Sequence, residues 1–168
     1  STGLSVEATI TENMLLGSHR KEPYAKRGIH LNRKKIRERT DRLIKEYDVR
    51  TPSQDVVAGN LSGGNMQKMV IAREFSFDSD ILIIAQPTRG VDIGAIEFIH
   101  KEIIQKRNEG AAILLVSADL DEIFRLSDRI ITIYEGQITG EFLSKEITKN
   151  EIGLYMTGKH KDLSQGGA

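Results

Sequence analysis

Leu61-Ser62-Gly63-Gly64-Asn65 runs straight into Met66-Gln67-Lys68-Met69-Val70-Ile71-Ala72-Arg73-Glu74. Ser62 is a strong helix N-cap, and Met66, Met69, Val70 and Ala72 then recur at helical spacing. Two glycines, lacking Cβ, let the backbone come close to a neighbouring group. A Ser-Gly-Gly turn at a helix start also offers free N–H groups and the positive end of the helix dipole, which suits an anion such as phosphate. A second reading stands beside this one, in which the glycine-rich loop does no more than cap a core helix.

Further along, Ile81-Leu82-Ile83-Ile84 has the pattern of a buried parallel strand. Ala85-Gln86-Pro87-Thr88-Arg89-Gly90-Val91-Asp92 then leaves it sharply and opens a new helix. This order of signature turn, helix, apolar strand and Q-P-T-R-G-V-D resembles the second half of an ABC-transporter ATP-binding domain. The wording from Pro87 to Ala95 is most similar to sugar and nucleoside importers whose ATPase subunit fuses two such domains. The resemblance runs from about residue 4 to about residue 157. It implies an α/β, partial P-loop NTPase (ABC ATPase) fold, with a helical subdomain beside a mostly parallel sheet. Residues 1–60 would form the helical, signature-bearing region, 61–157 the rest of the ATPase core, and 158–168 a polar tail.

Composition adds limits. At 168 residues the chain is one domain's worth, long enough for a real core. The 24 lysines and arginines equal the 24 aspartates and glutamates, so no global field favours nucleic acid or anionic lipid. Without cysteine there is no disulfide framework and no thiolate metal site. No apolar run approaches the roughly 20 residues of a spanning helix, so membrane association is expected only through a partner.

Taken in order, Ser5 is expected to cap a short amphipathic turn through Val6, Ile10, Met14 and Leu15. Residues 18 to 42 hold ten lysines and arginines against Glu22, Glu38 and Asp41. Asn32 caps a helix there with Ile36, Leu43, Ile44 and Tyr47 on one face, so the charges read as its solvated side. They lack the aromatic interleaving of single-strand binders. Thr51-Pro52-Ser53 is expected to break that helix, and an extended link through Val56 and Val57 leads to Leu61. Ile93 to Glu109 reads as a helix with Ile96, Ile99, Ile103 and Ile104 inward and Gly110 as its stop. Ala111 to Val116 is a second buried strand, and Asp119 to Leu126 a short helix. Arg129–Tyr134 and Gln137–Phe142 form a hairpin about Glu135-Gly136, and Thr148 to Met156 closes the chain as a helix.

The resemblance also assigns chemistry. The family's two adjacent carboxylates at the end of the Walker B strand hold the magnesium and activate the attacking water. Here those positions are Ala85 and Gln86. Alanine offers a metal no oxygen, and glutamine cannot take a proton. The family's histidine after the next strand, which meets the γ-phosphate, is Ala118. No metal ligand or catalytic group is therefore expected to be intact. The sequence holds no Gly-Lys-Ser/Thr Walker A turn, so a piece of a longer subunit is expected, inactive and without bound ATP by itself. By contrast Ser62, Gly63, Gly64, Asn65, Gln67 and Asp92 keep the signature and D-loop pattern, which serves ATP held by a partner domain.

The full assembly would then use ATP and Mg2+ at the cytoplasmic face of the membrane. Its partners would be the N-terminal ATP-binding domain of the same subunit and the membrane permease, with no nucleic acid. The exposed sheet of such a piece should make it self-associate. Two other classes are a DNA-associated ABC-type ATPase and a non-catalytic interaction module. The first needs long heptad coiled coils, which do not occur here. An intact signature turn argues against the second. Sugar and nucleoside are not distinguished.

Overall fold

The computed structural model describes residues 3–77 and 79–159. The chain divides into two compact units, Ser1–Leu82 with Pro87–Ile113, and Ile83–Gln86 with Leu114–Ala168.

The first unit is mainly helical. Helix α1 spans Ile10–Leu15 and is capped by Thr9, not by Ser5. Thr9 and Glu12 form a reciprocal capping box, which satisfies two of the N–H groups left over at a helix start. Val6 stays exposed outside the helix, while the Ser5 backbone N–H donates to Asn13 Oδ1 at 2.9 Å. The buried Asn13 side chain, which sequence patterning passed over, thus organises the turn before α1. A short hairpin follows, β1 (Ala25–Lys26) against β2 (His30–Leu31), in a stretch read only as charged surface.

Helix α2 (Arg33–Glu46) starts at Asn32, whose side chain accepts from the Lys35 N–H. Ile36, Leu43 and Tyr47 are buried as the periodicity requires, and Ile44 is half-buried. The helix ends earlier than Thr51-Pro52. Asp48 takes a left-handed φ of +46°, a conformation that turns the chain out of the helix before the proline can act. The expected extended link is reduced to Val57, bridged to Thr9, because the chain turns at 54–56 and forms a 3-10 turn over Ala58–Asn60 before Leu61.

Helix α3 (Gly63–Phe75) is the centre of this unit, with Met69, Ile71, Ala72 and Phe75 buried, whereas Met66 and Val70 are only half-covered. Arg39 of α2 is buried against its far end. Its guanidinium donates to the Met14 carbonyl and to Ser76 Oγ, and lies 5.2 Å from the Tyr24 ring. Arg73 of α3 donates to the Gly3 carbonyl at 3.0 Å and pairs with Glu74. Helix α4 (Ile93–Asn108) buries Ile99 and Ile103, leaves Ile96 and Ile104 half-buried, and stops at Gly110 with φ +105°.

Strands β3 (Ile81–Ala85) and β4 (Ala112–Val116) pair with one another. Ala112 N–H bonds to Asp80 O at 2.8 Å, and Gln86 N–H bonds to Val116 O at 2.8 Å, so the two strands run parallel. Their expected burial is found only in part, with Leu82 buried and Ile84, Ile113 and Leu115 half-buried. Ile81 is 69% exposed, Ile83 73% and Leu114 54%. The two strands form a two-stranded sheet, and the face of β3 that carries Ile81, Ile83 and Ala85 is exposed among the described residues.

In the second unit, α5 (Leu120–Leu126) is capped by Asp119. Strands β5 (Arg129–Tyr134) and β6 (Gln137–Leu143) make the expected hairpin. Glu135 and Gly136 both have positive φ, as a two-residue turn matched to strand twist requires. Helix α6 (Lys149–Met156) carries a second capping box, Thr148 with Glu151. Tyr155 meets Phe142 edge to face, with ring centroids 4.8 Å apart. Most of the polar tail, 160–168, lies outside the described residues.

Replacing Arg39 by methionine keeps its volume but strands a buried carbonyl. The expected loss is about 2 kcal/mol of unfolding free energy in a urea titration. An unchanged midpoint would show that the guanidinium contributes nothing.

Candidate functional site

The turn that opens α3 is built from local chemistry. Ser62 is extended (φ −63°, ψ 157°), and its Oγ accepts the Asn65 backbone N–H, which makes it the N-cap. Ser62 and Gly63 are exposed, while Gly64 is buried. Asn65 and Gln67 are half-buried on the first turns. A helix start of this kind leaves N–H groups without intrahelical partners, an arrangement that can accept an anion brought to it.

Asp92, predicted from sequence as part of the same site, is brought to this turn. It caps α4, with Oδ1 accepting from the Ala95 N–H at 2.9 Å. The other carboxylate oxygen, Oδ2, lies where a side chain on Gly64 would be. A Cβ at Gly64 would sit 2.9 Å from Asp92 Oδ2 and 3.1 Å from Ala95 Cβ. A Cβ at Gly63 would come within 3.3 Å of the Gly90 carbonyl. The two glycines therefore permit a close approach, and the group approaching is the start of α4. Gly90 itself adopts φ +76°, the left-handed region that a side chain would strain.

Two further tethers hold the turn to the segment after α2, and sequence reading missed both. Asn65 Oδ1 accepts the Arg50 backbone N–H at 2.8 Å. Lys68 Nζ donates to the Asp48 carbonyl at 3.0 Å, pairs with Asp48 Oδ2 at 2.8 Å, and lies 4.7 Å from the Phe98 ring centroid. The hydrogen bond from Lys68 holds the Asp48 carboxyl below its ordinary pKa. The only hint of this in the sequence is a lysine at a core-facing position of α3.

Ala85, Gln86 and Ala118 fall together in the second unit. Ala85 ends β3, and Gln86 takes a left-handed φ of +50° beside the end of β4, where its N–H meets Val116 O. Ala118 follows β4 by two residues, in a turn where Ser117 Oγ accepts the Asp119 N–H at 3.0 Å. This is the carboxyl end of parallel strands, the place where α/β folds hold ligands. The residues do not suit a metal-dependent hydrolysis. Ala85 and Ala118 bring no polar side-chain atom, and Gln86 brings only a neutral amide. Among the described residues no group of three or more His, Asp, Glu or Cys could hold a metal ion.

Solved structures share this fold. A dimeric ATP-binding cassette in a post-hydrolysis state, bound to ADP and Pi, superposes with a TM-score of 0.71 over 87% of this chain and 61% of its own, at 22% identity. A second cassette, in its ADP conformation, superposes at 0.64 over 94% of this chain and 62% of its own. The fold is that of an ATP-binding cassette. In sequence, this cassette chain is homologous to nucleoside- and sugar-import ATP-binding proteins. It is 49% identical over 156 residues to the guanosine import ATP-binding protein of Bacillus subtilis, covering 93% of the chain and 30% of that protein. It is 48% identical over 156 residues to the nucleoside import ATP-binding protein of Lactococcus lactis, covering 93% of the chain and 31% of that protein. A glucose import ATP-binding protein of Haloferax volcanii is 40% identical over 168 residues, covering 99% of the chain and 30% of that protein. No family model matches the chain. The cassette chain thus spans about a third of the length of the curated relatives it matches.

Gly64→Ala is expected to push α3 from α4 and cost about 1–3 kcal/mol, an overpacking effect. Gly94→Ala, whose Cβ would meet Asp92 Oδ1 at an ordinary 3.4 Å, should be neutral or stabilise by up to about 1 kcal/mol through helix propensity. Thermal unfolding of the two variants checks the contrast, and equal shifts would contradict it.

Proposed function

We propose that this chain is the signature-donating part of the second, degenerate ATP-binding domain of an importer ATPase for simple sugars or nucleosides. What carries this reading is the difference between its two ends. The Ser62 turn keeps its cap, its glycines and an exposed serine, whereas Ala85, Gln86 and Ala118 lack the oxygen, base and imidazole that hydrolysis needs.

In the complete subunit Ser62, Gly63, Gly64, Asn65 and Gln67 would face ATP held by the N-terminal ATP-binding domain, and Asp92 would lie at the same interface. ATP supplies the phosphoryl group that is hydrolysed, with Mg2+ as its counter-ion. This chain supplies oriented hydrogen-bond donors and the positive end of α3, fixed before charge develops. The residues up to 60 act as the helical subdomain and 61–157 as the rest of the cassette. The basic face of α2 would dock on the permease, placing the subunit at the cytoplasmic side of the membrane. The relatives' names, which cover both nucleosides and sugars, support the importer class and do not divide it. The DNA-associated alternative gains no support, since the basic residues of α2 lie along a short amphipathic helix.

Ser62→Arg in the complete transporter should lower transport-coupled ATP hydrolysis by at least about 10²-fold, because it fills the turn and removes a preorganised donor. Gln86→Ala should leave turnover close to the unmutated rate. Full turnover in the Ser62→Arg variant would end the trans reading, and an equal loss in Gln86→Ala would mean that this domain hydrolyses ATP itself.

The isolated 168-residue chain should bind no ATP and should self-associate through the uncovered strand face, where Ile83 and Leu114 are exposed. Light scattering is expected to report dimers or larger species, and Ile83→Lys combined with Leu114→Glu to shift them toward monomer. A monomer at every concentration contradicts this.

A further inference from the structure

Asn65 lies in the first turn of α3, but its side chain serves two groups outside the body of the helix. Oδ1 accepts the Arg50 backbone N–H at 2.8 Å, and Nδ2 donates to Ser62 Oγ at 2.9 Å. The direction of this amide is fixed by its partners. A backbone N–H can only donate, so the carboxamide oxygen must face Arg50 and the NH2 must face Ser62. The backbone N–H of Asn65 also donates to Ser62 Oγ, at 3.4 Å. A hydroxyl has two acceptor lone pairs and one hydrogen. With both lone pairs engaged by Asn65, the hydrogen of Ser62 is left to be given away, and Ser62 is exposed.

The geometry points to Asn65 as a positioning residue that fixes Ser62 as an obligate hydrogen-bond donor and ties that donor, through Arg50, to the segment leaving α2. A hydroxyl turned this way in advance selects a group that only accepts, such as a phosphate oxygen, and discriminates against donors. Asn65 need not touch the nucleotide to do this. The Lys68–Asp48 pair braces the same segment without reaching Ser62. The position of the hydroxyl is thereby tied to α2, while its direction depends on Asn65 alone. This inference rests on the trans-signature reading given above.

Asn65→Asp separates direction from scaffolding. The carboxylate keeps an acceptor for the Arg50 N–H, and a negative charge in the first turn favours the helix. Folding and melting temperature should therefore be retained. The second carboxylate oxygen replaces a donor by an acceptor, so the Ser62 hydrogen turns inward. ATP turnover of the complete transporter is the readout, measured for Asn65→Asp, Ser62→Ala and the double variant. The expected result is a loss of about 10²-fold in kcat in each single variant with little change in KM, and no comparable further loss in the double. Unmutated turnover in Asn65→Asp beside a slowed Ser62→Ala overturns the positioning role and leaves the trans reading intact. A full additional loss in the double variant also overturns it, because the added charge would then act without the hydroxyl. Unmutated turnover in Ser62→Ala removes the trans reading, and this inference with it.

Discussion

The close approach of Gly64 to the Asp92 carboxylate joins the starts of two helices, and the site depends on it. One oxygen of Asp92 caps α4, and the other occupies the space a Gly64 side chain would need. A glycine is therefore required by packing inside this chain, independently of any ligand. The consequence is geometric: the Ser62 turn and the start of α4 pack against each other with no room for a side chain between them. Two segments well separated in sequence become one surface.

That surface is braced from the other side by the segment after α2. Left-handed Asp48 ends the helix and presents its carbonyl and carboxylate to Lys68, and Arg50 presents its N–H to Asn65. Each bond alone is modest, of the order of 1 kcal/mol net for a neutral pair. Under the proposed function, their value lies in placing donors before a ligand arrives, so that no reorganisation is needed when charge must be met. The end of β3 has the opposite character. Its backbone is held in an unusual conformation at Gln86, but the side chains there offer little that a metal or a proton could use.

Much of this was legible in the sequence, because it is local. The caps at Asn32, Ser62, Asp92, Asp119 and Thr148 follow from residue type and position. The hairpin at Glu135-Gly136 follows from turn chemistry. Thr9 with Glu12 was equally readable as a capping box and was passed over in favour of Ser5. An exposed sheet is what the resemblance implies, but that Ile81, Ile83 and Leu114 are the exposed side chains was not legible, since an apolar run is the same whether or not something lies across it. Nor was the contact of Gly64 with Asp92, or the partner of Lys68, because tertiary proximity leaves no mark on spacing.

The most direct measurement is a structure of the complete transporter trapped with ATP and its cassettes closed. Ser62 Oγ is expected within about 3 Å of a γ-phosphate oxygen, with that nucleotide held by the other cassette and Asn65 still bonded to Ser62. A closed state in which the Ser62 turn faces solvent, away from every triphosphate, would contradict it.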